Sequence, residues 1–199
     1  MILKQNPKTF VIVMDGYDIS ESQFEDCKNS AKLHNWKIER FPATIGTSIT
    51  KKDWDEIQVT PLSHKRTMDK LGVHGCFFSH FRLWKKCVEL NEPIIILEHD
   101  AIITAPWPEI FLKDSLIKLH HRFKTMRYDE DSGEWSKSAH AYCLSPDHAT
   151  KLIKFSQTVG AFAPDVMIGT NVVSLSFLNK KNEQSLIERQ NTHSYTNNL

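Results

Sequence analysis

The stretch that most constrains this fold is "PIIILEHD", residues 93 to 100, where four consecutive apolar residues run straight into Glu98, His99 and Asp100. A strand with one wet face alternates apolar and polar residues, so an unbroken run predicts a strand buried on both faces. "KTFVIVM", residues 8 to 14, repeats the pattern and stops at the turn pair Asp15-Gly16. Ser20, followed by Phe24, Cys27 and Ala31 at helical spacing, predicts a helix, and "WKIERF" (36 to 41) alternates up to Pro42 as a second strand does. Thr44 to Leu71 is polar and reads mostly as loop, with a short helix at Lys51 to Ile57. From Gly75 onward, Cys76/Phe77, His80/Phe81, Leu83/Trp84 and Cys87/Val88 recur every three to four residues, which predicts a long amphipathic helix. "SLIKL" (115 to 119) fits strand or helix, and "AHAYCLS" (139 to 145) and "NVVSLSFL" (171 to 178) fit strands. Ser145-Pro146 marks a capped helix start. Strands alternating with helices predict an α/β fold with a mostly parallel central sheet flanked by helices. One domain is expected over residues 1 to 179, with 180 to 199 a polar C-terminal segment ending in a flexible tail.

With 199 residues the chain buries roughly 70% of its unfolded surface as a single domain and needs no disulfide or metal staple. Lys plus Arg number 25 against 24 for Asp plus Glu, so no summed field draws it to nucleic acid or to an acidic membrane. Four scattered cysteines without C-x-x-C spacing suit a reducing compartment. The first sixteen residues are too broken by charge and Pro for a signal or transmembrane segment, and a cytoplasmic protein is expected. Function must then reside in a local site.

The acidic strand end is the first candidate, because ligands of open α/β sheets bind beyond the carboxyl ends of strands. In extended geometry Glu98 and Asp100 face together and His99 faces away. Two carboxylates about 4 Å apart repel by about 4 kcal/mol at an effective dielectric near 20, so a positive group belongs beside them. A divalent ion with oxygen ligands meets that need, as does pairing with nearby Lys and Arg.

"GVHGCFFSHFRLWKKCVELNEPIIILEHDAII" resembles the core signature of glycosyltransferase family 25, the lipopolysaccharide biosynthesis and collagen-galactosyltransferase-like enzymes. The matching positions are Gly72, Gly75, Cys76, Ser79, His80, Trp84, Glu98, Asp100 and Ala101. "ERFPATIG", "AHAYCLSPDHATKLI" and "APDVMIG" extend the resemblance. His99 stands where the family's acidic motif has its middle Asp, His120 where a Gly is common, and the chain is short for the family.

The resemblance implies a GT-A type fold and a metal-dependent transferase that moves galactose or glucose from a UDP-sugar to a hydroxyl, with inversion. The acceptor is a glycan, a lipid-linked glycan or a protein. Mn²⁺ or Mg²⁺ would be held by Asp100, with Glu98 and His99 as further ligands, the His favouring Mn²⁺. Ser79, His80, Glu98 and Asp100 are the expected donor-binding residues, with Ser79 near a helix start that favours a diphosphate. His80 reads equally as a core histidine. Asp165 is the expected catalytic base, or else the N-cap of a helix at 166 to 169. Two other functions compete. One is a degenerate domain that binds a nucleotide sugar without turnover. The other is a metal-dependent phosphohydrolase built on His99-Asp100, with His74, His80 and His140 as further ligands.

Overall fold

The structure is a computed structural model that describes residues 2–3, 6–62, 68–111, 115–120, 126–136, 138–177 and 185–190. In chain order the elements are β1 (Ile2–Leu3), β2 (Lys8–Val13), α1 (Asp18–Leu33), β3 (Ile38–Pro42), α2 (Lys51–Ile57), α3 (Leu71–Leu90), β4 (Ile94–Glu98), β5 (Ala101–Ile103), β6 (Ile110–Phe111), β7 (Leu116–Lys118), β8 (Met126–Asp129), β9 (Gly133–Ser136), β10 (Ala141–Leu144), α4 (Pro146–Val159), α5 (Pro164–Met167), β11 (Leu175–Phe177) and β12 (Ile187–Arg189). Six strands form the central sheet in the order β11-β7-β10-β4-β2-β3. The pairs β2/β3, β2/β4 and β7/β11 are parallel, whereas β10 runs antiparallel to both β4 and β7.

The two apolar runs are buried on both faces, as their composition predicts. Along β4, Ile94 and Ile96 join the core shared with α3 and α4, while Ile95 and Leu97 join the core shared with α1. Phe10 and Ile12 of β2 face the first core and Val11 and Val13 the second, and Tyr142 and Leu144 of β10 face the first while Ala141 and Cys143 face the second. This period-two division puts Glu98, the last residue of β4, on the α3 side.

Several boundaries follow local chemistry. Ser145 caps α4 by accepting from the His148 N–H, with Pro146 in the first turn. Helix α2 spans the expected residues and is closed by reciprocal bonds between Thr50 and Asp53. Helix α1 begins at Asp18 rather than after Ser20, whose hydroxyl instead accepts from the Met14 N–H at 2.9 Å. Helix α3 begins at Leu71, five residues before the first apolar pair of its stripe. It can do so because Gly75 lies against the 44–46 turn: a Cβ there would stand 2.5 Å from the Thr44 carbonyl oxygen.

"SLIKL" resolves as strand β7, and the Ser-Gly turn before Trp135 joins the hairpin β8/β9. Within the expected polar C-terminal segment, β12 pairs antiparallel with β5, and Leu186 and Ile187 are buried in the α1-side core. The last nine residues, expected as a flexible tail, lie outside the described residues. Among the described residues no helix is long and apolar enough to cross a membrane.

Candidate active site

The site grows from one row of the sheet. Ala141 stands opposite Leu97, so His140 stands opposite Glu98, and the Glu98 N–H donates to the His140 carbonyl at 2.9 Å. Tyr142 stands opposite Lys118, and two residues further along the rings of His140 and His120 meet at 5.1 Å. His140, Tyr142 and Lys118 are all buried. After β4 the chain turns at His99-Asp100 and enters β5, which returns the Asp100 carboxylate to Glu98.

The two acids do face together, and positive groups stand beside them. His140 Nδ1 lies 3.0 Å from Asp100 Oδ1 and 3.5 Å from Glu98 Oε2. The first contact is close but not aligned as a hydrogen bond, so it is an ion contact. His140 Nε2 is 3.3 Å from the Glu188 carbonyl oxygen. Both ring nitrogens thus face acceptors, which requires a proton on each. Burial opposes that charge, but the two carboxylates outweigh it and push the His140 pKa up to about 9. Arg189 completes the group: its Nε donates to Asp100 Oδ2 at 2.6 Å and its Nη2 to Glu98 Oε2 at 3.1 Å. Burial would raise the pKa of both acids, yet His140 and Arg189 hold them below the usual carboxylate range.

Above this row sits His80, fully buried on α3. Its Nδ1 lies 2.8 Å from the Tyr142 hydroxyl, which also accepts the Trp84 indole N–H at 2.9 Å. With one lone pair of the phenol taken by Trp84, the O–H points to His80 Nδ1, which leaves the His80 proton on Nε2, 4.0 Å from Glu98 Oε1. Burial pulls the His80 pKa down to about 4, so the ring is neutral at pH 7. His80 therefore presents a fixed N–H donor to the site. Nitrogen-15 spectra should show the neutral Nε2–H tautomer throughout pH 5.5 to 8, and Tyr142→Phe should release it into tautomer exchange. A protonated Nδ1 in the parent protein would overturn this assignment.

The remaining expected site residues divide. His99 is outside the Glu98, Asp100 and His140 group; it is half-buried on the turn near the Ile12 backbone, and burial lowers its pKa against the pull of both acids. Ser79 lies in the third turn of α3 rather than at its start, because the helix begins at Leu71. Its hydroxyl donates to the Gly75 carbonyl at 2.7 Å and accepts from the Thr44 N–H at 2.9 Å, which pins the 44–46 turn to the helix. Asp165 sits in the first turn of α5, whose N-cap is Ala163, and is half-buried. Its charge reaches Lys118 and Cys76, adding to the rise that burial causes in the Cys76 pKa and opposing the fall that burial causes at Lys118. The histidine set of a phosphohydrolase does not assemble around His99: His74 Nε2 lies 2.6 Å from the Met68 carbonyl oxygen instead.

Two participants carry no mark in the sequence. Lys118 donates to the Ser138 carbonyl and lies 5.6 Å from the Tyr142 ring centre; burial pulls its pKa down to about 7 against the charges of Asp165 and Glu98. Arg189 follows only a two-residue apolar step, Leu186-Ile187. For His140, the period-two pattern of its strand already puts it on the face of Tyr142.

Glu98, Asp100 and His140 offer ligand atoms within 4.8 Å of one another. Two carboxylates and one imidazole suit Mn²⁺ or Mg²⁺ once the imidazole releases its Nδ1 proton, so the residues present fit such an ion. Cys76, His80 and Glu98 form a second group of the same span.

Residues 7–139 match the family model described as Glycosyltransferase family 25 (LPS biosynthesis protein). A protein of Anopheles gambiae named Glycosyltransferase 25 family member is 34% identical over 76 residues, which is 35% of this chain and 13% of that protein. A protein of the same name from Aedes aegypti is 37% identical over 70 residues, 32% of this chain and 11% of that one. The matches thus span only about a tenth of the length of these relatives. Among solved structures, a glycosyltransferase involved in the glycosylation of the major capsid of PBCV-1 superposes with a TM-score of 0.45 at 10% identity, covering 87% of this chain and 83% of that one. Since the family match runs from β2 through both acids to Ala139, the residue before His140, the chain belongs to glycosyltransferase family 25.

Proposed function

We propose that this chain is a glycosyltransferase of GT-A type that moves galactose or glucose from a UDP-sugar to a hydroxyl of a glycan, a lipid-linked glycan or a protein, with inversion. The observation that carries it is the convergence of Glu98, Asp100 and His140 at the carboxyl end of a fully buried strand in a family 25 chain. Glu98, Asp100 and His140 would hold Mn²⁺ or Mg²⁺, with His140 in the place that His99 was expected to fill. When bound, the ion supplies Lewis acidity to the leaving diphosphate. The protein's own groups do the rest: the His80 N–H donates to an acceptor atom of the donor, and the Asp165 carboxylate takes the proton of the acceptor hydroxyl. Four free thiols, three of them buried, are consistent with a reducing, cytoplasmic setting.

A panel of nucleoside diphosphate sugars, assayed with Mn²⁺ and with chelator, tests this reading. The expected result is metal-stimulated release of UDP from one or two donors, with Asp165→Asn slowing turnover while leaving donor affinity unchanged. A panel in which no donor binds would overturn the assignment. The Arg189 fork across both carboxylates favours a second reading, a donor-binding domain without turnover, for which the same assay gives saturable binding and no UDP release.

A further inference from the structure

The acid pair already has a cation between its members, and that cation belongs to the protein. We propose that Arg189 and a divalent metal ion are alternative occupants of the same carboxylate pair, so that Arg189 sets the metal affinity of this chain. The inference rests on the reading of Glu98 and Asp100 as the ion-holding pair.

Four carboxylate oxygens are in play. Asp100 Oδ2 and Glu98 Oε2 are bridged by the guanidinium at 2.6 and 3.1 Å. Asp100 Oδ1 faces His140 Nδ1 at 3.0 Å, and Glu98 Oε1 faces the His80 ring at 4.0 Å. An ion that takes one oxygen from each carboxylate sits about 2.0 to 2.2 Å from them. With a delocalised positive fork in contact with the same two side chains, the ion would meet a like charge at close range in a partly dehydrated site. Both cannot stay. The guanidinium is the one that can leave, because the Arg189 side chain is 32% exposed and can swing toward water.

Its strand has no such freedom. The Ile187 N–H donates to Leu119 at 3.2 Å, the Gln190 N–H to the Asp100 carbonyl at 3.0 Å, and the Thr104 N–H to Leu186 at 3.1 Å. Leu186 and Ile187 are buried. Exchange is therefore a side-chain movement on a fixed strand. Arginine suits a resident counter-ion here, since its planar fork spans two carboxylates where an ammonium would serve one.

Mn²⁺ titrated into metal-free protein, followed by the loss of the free-ion electron paramagnetic resonance signal, tests the exchange without any sugar chemistry. Arg189→Gln, which removes a like charge beside the ion, is expected to bind Mn²⁺ at least about 10-fold more tightly than the parent protein, and Arg189→Gln combined with Asp100→Asn to lose that gain. Equal affinity in the parent and Arg189→Gln would overturn the proposal. If Arg189→Gln does not fold, the uncharged Arg189→Met replaces it: tighter Mn²⁺ binding than the parent supports the exchange, and equal or weaker binding overturns it. Amide exchange at Ile187 should keep its protection when Mn²⁺ binds; lost protection would overturn the fixed strand. Absence of Mn²⁺ binding in every variant also overturns the exchange. UDP-sugar turnover in chelator would in that case leave the transferase reading standing, so the two fail separately.

Discussion

Replacing Asp100 with asparagine is expected to lower UDP-sugar turnover by about 10²- to 10³-fold, the range seen when one preorganised electrostatic group is removed from a reacting centre. The change is nearly isosteric, so packing around this buried side chain, 4% exposed, is preserved. What disappears is a negative charge that three partners use: it receives the Arg189 Nε–H at 2.6 Å, faces His140 at 3.0 Å, and supplies one of the two carboxylates offered to an ion. The amide leaves both cations facing Glu98 alone. Single-turnover UDP release, read beside thermal unfolding of the same sample, separates lost chemistry from lost fold. A decrease smaller than tenfold in folded protein would remove Asp100 from the reacting centre.

The second large effect concerns stability. In metal-free protein the folded-state pKa of His140 is raised from 6.5 to about 9. Between those values the folded chain keeps a proton that the unfolded chain gives up, so this stabilisation is whole below pH 6.5 and drains away toward pH 9. Lys118 does the reverse. Its pKa is lowered from 10.5 to about 7, so from pH 7 upward the unfolded chain holds a proton that the folded chain lacks, and stability rises. Each slope is about 1.4 kcal/mol per pH unit. His140 is faced by Glu98, Asp100 and the His120 ring, and Lys118 by Asp165 and Glu98.

From pH 7 to 8 the two slopes oppose each other and the parent protein is expected to change little in stability; toward pH 9 it loses stability, because burial pushes the thiols of Cys27, Cys76, Cys87 and Cys143 up and the unfolded chain releases protons that the folded chain keeps. Lys118→Met removes the rising slope and should lose about 2 kcal/mol more than the parent between pH 7 and 9. Urea midpoints at pH 7, 8 and 9 in chelator check this. Parallel profiles for the parent and the variant would mean that Lys118 stays charged in the folded protein.

The frame of the molecule was legible because its main signals are local. Ile94 to Leu97 and Phe10 to Val13 announce buried strands by composition, and Ser145-Pro146 announces α4 by cap chemistry. The antiparallel placement of β10 was not legible, since strand direction depends on pairing across more than forty residues of intervening chain. At the site, the pairing of Glu98 with Asp100 was readable, but extended geometry was the wrong reason: the chain turns at His99-Asp100, and the turn into β5 brings the carboxylates together. The need for positive charge beside them was readable too. Its source was not. Arg189 lies 89 positions from Asp100 and is brought there by a three-residue strand whose apolar content is too slight to register. Lys118 stayed hidden because lysine is almost never fully buried, and the strand that buries it reads equally as a helix. His99 was adjacent in sequence to both acids, yet His140, 40 positions from Asp100, faces them, because the sheet pairing sets His140 opposite Glu98 while His99 lies on the turn.

The position of β12 ties the site to the order of synthesis. Every other described element precedes Ser185 in the chain, so the strands of the sheet, α3 and the two acids are all encoded before Arg189. Without Arg189, His140 is the cation left beside both carboxylates. A product that stops short of Ser185, whether by nicking or by premature termination, retains the whole central sheet but carries an excess negative charge at its strand end.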